Sequence, residues 1–174
     1  QAASARAGLA LGEPCWFYPG GGWIAPSAWV RHALNHPLIT VRTHCTVSAL
    51  ERRDTQWACQ DSQGTVQAQS PLLVLAQAAS ADALLRPLGH AGWPLRSSRG
   101  QISFWLAKPA PSLRLPVAGD GYAIATPGSL LFGATRQVDD PDPAVRGEDH
   151  RYNLERLQRL TGLVGPPAAM AMQG

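Results

Sequence analysis

Glycine and proline punctuate this chain so densely that it cannot fold as a bundle of long helices. Seventeen glycines and 15 prolines make 32 of its 174 residues, and both residue types favour turns and interrupt helices. What remains is a strand-rich pattern with two or three brief helices. Residues 26–35 predict a helix, because proline suits a first helical turn and Pro37 cannot continue it. Trp29, Val30, Ala33 and Leu34 form its apolar stripe. "LITVRT" and "CTVSALERR" are rich in β-branched residues and predict strands. "QWACQD" and "TVQAQ" flank Asp61-Ser62-Gln63-Gly64, a hairpin turn in which glycine can take positive φ. "PLLVLA" is a continuous apolar run that predicts a strand buried on both faces.

A brief helix follows over residues 78–86, with Ser80 as its N-cap. "LRSSRGQISFWLA" predicts a long strand broken near Gly100 and leads into the connector "KPAPSLRLP". "GYAIATP" and "SLLFGATRQ" predict antiparallel strands joined through Pro127-Gly128-Ser129. Residues 147–160 predict a polar helix that packs through Tyr152, Leu154, Leu157 and Leu160. The order of elements implies an α+β fold, a mixed and mainly antiparallel sheet with part of an α/β layer attached. Residues 1–14 and 162–174 carry no pattern and are expected to be irregular, with one domain region over residues 15–161.

The formal charge of +3 is compatible with an RNA partner without arguing for one, and no dense basic run occurs. No apolar run approaches the roughly 20 residues needed to span a bilayer, and the first residues lack the basic head of a signal peptide. Cys15, Cys45 and Cys59 share no metal spacing and suit a reduced compartment, so a cytoplasmic location is expected. "PGGGW" reads either as a backbone nest for an anion or as a tight turn beside aromatic residues; the turn is favoured, since neither a Walker pattern nor a GxGxxG occurs. His32 and His36 have chelating spacing but no acidic residue between them, and "DDPD" lacks the other ligands of a calcium loop, so no metal site is expected.

Several weak motifs then recur in one order. They are "FYPGGGWIAP" at residues 17–26, Cys45-Thr46-Val47, "LVLAQAA" at residues 73–79, and the run from Pro94 ending Arg99-Gly100-Gln101. After these come Gly121-Tyr122 on a run ending at Pro127, Gly133-Ala134-Thr135, and the polar "NLERLQRL". Together they resemble the D-amino-acid-oxidase-like FAD-dependent oxidoreductases. Within that family the chain is most similar to the oxidase half of bifunctional bacterial enzymes that modify the wobble uridine of tRNA.

The resemblance implies a substrate-binding sheet joined to part of an FAD-binding layer, and FAD as the cofactor of the full-length protein. It places Tyr122, Arg99 and Gln101 on the catalytic side, and Val47, Ala76, Ala78 and Gly100 against the cofactor. At position 78 the family has glycine, and an alanine fits there only where the backbone does not need positive φ. The implied chemistry is hydride loss from the carbon beside a secondary amine, hydrolysis of the resulting imine, and return of the electrons to oxygen. The implied substrate is 5-carboxymethylaminomethyl-2-thiouridine in tRNA, which would lose its carboxymethyl group.

On this reading the chain is the central part of a longer protein, inactive alone, with flanking FAD-binding and methyltransferase segments as partners. The alternatives are a glycine or D-amino-acid type of oxidase acting on a small free amine, and a non-catalytic binding module. Arg136 reads as a partner for a carboxylate or phosphate, or as an ordinary surface arginine. Trp16, Trp23 and Trp29 read as stacking platforms for a base or as core residues.

Overall fold

The computed structural model describes residues 2–106, 112–165 and 172–173. Along the chain run α1 (Ala2–Ala7), α2 (Pro26–Leu34), β1 (Ala49–Arg53), β2 (Gln56–Gln60), β3 (Val66–Ser70) and α3 (Ala81–Leu85). They are followed by β4 (Ser98–Arg99), β5 (Ile102–Leu106), β6 (Val117–Gly119), β7 (Gly121–Thr126), β8 (Ser129–Gly133), β9 (Gln137–Val138), α4 (Gly147–Thr161) and β10 (Met172–Gln173). Every strand pair among them is antiparallel. The chain divides into two units, residues 27–97 and residues 1–26 with 98–174. No helix among the described residues is long and apolar enough to cross a membrane.

The unit of residues 27–97 is built on the meander β1-β2-β3. Its second hairpin forms where the sequence predicts it. Asp61 Oδ1 accepts hydrogen bonds from the Gln63 and Thr65 amides, both at 2.9 Å, and Gly64 takes φ +79°. Leu50 and its partner Cys59 are buried on one face of this sheet, and Ala58 on the other.

Three expectations fail in this unit. Residues 38–48 form no strand, because β-branched residues need a paired neighbour as well as propensity. Arg42 instead bonds the Gln67 side chain at 3.0 Å and its carbonyl, and His44 turns the chain at φ +55°. The "PLLVLA" run is not buried on both faces: Leu72 is 75% and Val74 78% exposed, and no described strand pairs with it. Ser80 lies in the right-handed helical region and makes no side-chain cap, because a 3-10 turn over Ala78–Ser80 already leads into α3. The stripe of α2 is also open, with Trp29, Val30 and Leu34 all exposed.

In the other unit a five-stranded sheet has the order β10-β5-β8-β7-β6, and α4 packs across β5, β6, β7 and β8. Alternation along the strands decides which side chains meet that helix. Ser103 and Trp105, Phe132 and Leu130, Ala123 and Ala125 lie on matching rungs of β5, β8 and β7. With Leu113, Leu154 and Leu157 they enclose the core, in which Phe132, Leu130 and Leu157 are fully buried. Gly162 ends α4 at φ +72°, its amide bonded to the Gln158 carbonyl at 2.8 Å, the usual left-handed helix stop.

The helix itself matches the predicted span, except that Tyr152 points outward and is 46% exposed. Within the unpatterned residues 1–14, the alanine-rich start forms α1. Ala7 and Gly8 are pinned there by the Arg114 amide and the Ser112 hydroxyl. β4 pairs with β9 as a separate two-stranded ribbon, Arg99 opposite Gln137. Residues 107–111 of the predicted proline-rich connector lie outside the described residues.

Candidate functional site

The side chains on β7, β8 and β5 that do not meet α4 form a second sheet face. Its end rung is Tyr122, Gly133 and Ile102, and the next is Ile124, Leu131 and Phe104. All but Gly133 are half-buried, and within this unit α4 packs on the opposite face. Gly133, between Tyr122 and Ile102, is buried, and its Cβ position lies 3.5 Å from Asn153 Nδ2 of α4. A side chain there would crowd Ile102 Cα at 3.3 Å and the Gln101 carbonyl at 3.4 Å, on a backbone at φ +154°. Gly121 is needed more sharply still, because at φ +120° a Cβ would stand 2.9 Å from the Gly133 carbonyl. The Tyr122 hydroxyl makes no hydrogen bond among the described residues. This phenol on a shallow apolar floor can therefore donate to an incoming acceptor.

Beside that floor, Arg99 and Gln101 are brought together by the break between β4 and β5. Arg99 is almost fully buried and uses all five of its donors. Nε bonds the Asp142 carbonyl at 2.8 Å, and Nη1 bonds Gln137 Oε1 at 2.7 Å and the Asp149 carboxylate. Nη2 bonds Gln101 Oε1 at 2.9 Å and the Ala144 carbonyl. The Arg99–Asp149 ion pair has side chains only 7% and 4% exposed, and it is flanked by neutral hydrogen bonds that complete its satisfaction. Gln101 bonds the main chain of Arg146 in both directions, at 2.9 and 2.8 Å. It thereby holds the residue that starts α4, which has no side-chain cap of its own. Gly100 lets β4 approach its neighbour, since a Cβ there would sit 3.1 Å from the Thr135 carbonyl.

Directly beneath lies a polar cluster that the sequence reading missed. Ser103 Oγ is 2.7 Å from His150 Nδ1, and Asn153 Nδ2 donates to Ser103 Oγ at 3.1 Å and to the Gln101 carbonyl at 2.9 Å. Between Ser103 Oγ and His150 Nδ1 either group can be the donor, according to the tautomer of the imidazole. Burial holds the His150 pKa below its ordinary value, partly opposed by the neighbouring Asp149 carboxylate. The available signal was positional. His150 and Asn153 fall on the same helical stripe as Leu154 and Leu157, so polar residues were due to face inward.

Arg146, Asp140 and Asp142 close the loop before α4, with ion pairs of 2.6 and 2.8 Å. Both carboxyls are held below their usual range by Arg146, and its guanidinium is raised in turn. At the β6–β7 turn Asp120 is likewise lowered by hydrogen bonds from Arg156, which also bonds the Ala134 carbonyl at 2.6 Å.

The other expected cofactor residues lie in the unit of residues 27–97. Val47 is half-buried just before β1, and Ala76 and Ala78 are exposed after the "PLLVLA" run. Ala78 takes φ +51°, so the left-handed backbone usual for glycine forms here despite the methyl group. The condition set on this alanine therefore fails, yet the conformation is kept.

The chain belongs to the FAD dependent oxidoreductase family, whose sequence model matches residues 2–170. Its mixture of helices and antiparallel sheets agrees with the α+β class expected. Among characterised proteins it is similar to the tRNA 5-methylaminomethyl-2-thiouridine biosynthesis bifunctional protein MnmC of Methylibium petroleiphilum, 46% identical over 92% of this chain. The proteins of that name from Paraburkholderia phytofirmans and Paraburkholderia xenovorans are 36% and 38% identical, over 97% and 95% of the chain. The chain spans about a quarter of the length of these curated relatives, 25% to 26%.

Proposed function

We propose that this chain supplies the substrate-facing part of an FAD-dependent oxidase. The enzyme would remove the carboxymethyl group from 5-carboxymethylaminomethyl-2-thiouridine at the tRNA wobble position. The observation that carries the reading is the Tyr122 hydroxyl, without a hydrogen bond among the described residues and on the sheet face opposite α4, in a chain similar over nearly its whole length to MnmC proteins. The substrate's side chain ends in a carboxylate beside a secondary amine. In this reading the Tyr122 phenol donates to that carboxylate.

Arg99 and Gln101 act as positioning residues. Their donors and acceptors are spent on β9, the loop before α4 and the start of α4, so they hold the β5 end of the floor rigid. The resemblance assigns Val47, Ala76 and Ala78 in the one unit, and Gly100 in the other, to the flavin. When bound, the flavin supplies the two-electron acceptor for the carbon beside the amine. The released imine would hydrolyse to an aminomethyl uridine and glyoxylate. Flanking FAD-binding and methyltransferase segments of a longer polypeptide, and a cytoplasmic tRNA substrate, belong to the same proposal.

Mass spectrometry of tRNA nucleosides from cells lacking the full-length gene tests the reaction. Accumulation of the carboxymethylaminomethyl nucleoside is the expected result, and an unchanged wobble-uridine profile removes the reading. For Tyr122, the full-length Tyr122→Phe variant should raise KM for the modified tRNA while keeping its flavin. A loss of roughly 1–2 kcal/mol fits one hydrogen bond to a charged group. Unchanged kinetics would dismiss the phenol as a substrate contact.

A further inference from the structure

The rung of Tyr122, Gly133 and Ile102 is the last of the β7–β8 and β5–β8 ladders. Strands fray where their ladders stop, so a phenol on the last rung keeps one position only if the chain just beyond is held. Three carbonyls lie there: Gln101 before Ile102, Asp120 before Gly121-Tyr122, and Ala134 after Gly133. All three accept hydrogen bonds from α4. Asn153 Nδ2 takes the Gln101 carbonyl at 2.9 Å. Arg156, three residues on and on the same helical stripe, takes the other two, with Nε 2.8 Å from the Asp120 carbonyl and Nη1 2.6 Å from that of Ala134. Its Nη2 pairs with the Asp120 carboxylate, and its side chain is only 16% exposed. Gly121 admits the guanidinium, since a Cβ there would stand 3.4 Å from Arg156 Nε.

We propose that Arg156 is the positioning residue for Tyr122: one guanidinium joins the start of β7 to the end of β8 and so fixes where the phenol stands. Tyr122 points to the sheet face opposite α4, so Arg156 acts through the backbone and touches no substrate. The residue type follows from the task. A guanidinium is planar and presents its donors in fixed directions, so it sets two carbonyls relative to each other, which the single point charge of a lysine cannot do. Arg159, one turn further along α4, supplies the contrast. It reaches the Asp120 carboxylate at 3.4 Å and bonds no carbonyl among the described residues. On the other flank of Gly133 the Thr135 amide already bonds the Gln101 carbonyl at 3.1 Å. Loss of the Arg156 fork therefore loosens the β7 side of the rung and leaves the β5 side tied.

The inference rests on the reading of Tyr122 as the group that meets the substrate carboxylate, and a double-mutant cycle in the full-length, flavin-loaded enzyme separates the two. Arg156→Met, which keeps the length of the stem and removes the donors, should raise KM for the modified tRNA by about three- to tenfold, no more than Tyr122→Phe does. In the Tyr122→Phe background the same substitution should add less than about twofold, because the group it positions is already gone. Arg159→Ala should match the parent, and flavin content should hold in every variant. A parent-like KM in Arg156→Met, or a loss that adds in full to that of Tyr122→Phe, would overturn the positioning role and leave the Tyr122 reading standing. Parent-like kinetics in Tyr122→Phe itself would overturn both. If Arg156→Met loses its flavin, Arg156→Lys is judged by the same two criteria, since its ammonium still pairs with Asp120 while the fork is lost.

Discussion

Ala78 shows most directly how one residue can keep a backbone conformation that its side chain opposes. At φ +51° its methyl group crowds the neighbouring carbonyl, at a cost of about 1–2 kcal/mol relative to glycine. Glycine's greater freedom in the unfolded chain takes back part of that. Ala78→Gly is therefore expected to stabilise the protein by about 0.5–1 kcal/mol in urea unfolding. A neutral or destabilising result would mean that the methyl packs usefully. The buried Arg99–Asp149 pair makes the opposite case. Asp149→Asn leaves a five-donor guanidinium enclosed without its counter-charge and should cost about 3–5 kcal/mol. Arg99→Lys should not rescue function at that site, since an ammonium cannot reach five acceptors at once. Equal stability of the lysine variant and the parent would show that the fork geometry is unimportant.

At the scale of elements, α4 is the piece on which the sheet depends. Its apolar half closes the core through Leu154 and Leu157, and its polar half ties down β4, β5 and β9 through Asp149, His150 and Asn153. This division makes the helix-to-sheet contact sensitive to pH. The folded pKa of His150 lies below its ordinary value of 6.5, so the unfolded chain takes up a proton before the native one does. Stability from this group is therefore complete above pH 6.5 and falls as pH drops through 6.5 toward the folded pKa. Chemical unfolding between pH 7 and 5 should show that slope, and His150→Asn should flatten it. A parent whose stability is constant across the window would rule out the buried neutral histidine. The carboxylates Asp120, Asp140 and Asp142 act in a separate window. Their pKa values are held below 3.8, so their contribution is lost only in stronger acid.

For the whole molecule, the conspicuous property is exposed apolar surface. Leu72, Val74, Trp29, Trp16 and Tyr18 are far more open than such residues usually are in a soluble monomer. The curated relatives are about four times as long as the matched stretch, with 25% of the Methylibium protein covered. The 174-residue chain prepared alone should consequently bind a hydrophobic dye such as ANS much more strongly, per mole, than the full-length protein. Equal dye binding would show that these faces stay open in the longer polypeptide too.

Much of the element order was legible in the residues themselves. Local chemistry settles the Asp61–Gly64 hairpin, the β7–β8 pair around Pro127-Gly128, the break at Gly100 and the limits of α4. Turn residues and caps act over a few positions and need no distant partner. Resemblance likewise singled out the runs Gly121-Tyr122 and Gly133-Ala134-Thr135, because they stand in one order along the chain. What the sequence could not decide was pairing. "LITVRT" and "PLLVLA" have strand composition, but a strand exists only when another backbone meets its donors and acceptors.

The same limit hid the Ser103, His150 and Asn153 cluster and the full engagement of Arg99. Residues 99–103 and 146–153 lie nearly 50 positions apart, and only packing of α4 on the sheet brings them within hydrogen-bonding distance. Composition and local order thus determined which elements this protein can form. Tertiary packing decided which of them found partners, because a buried polar group is stable only where a distant one satisfies it.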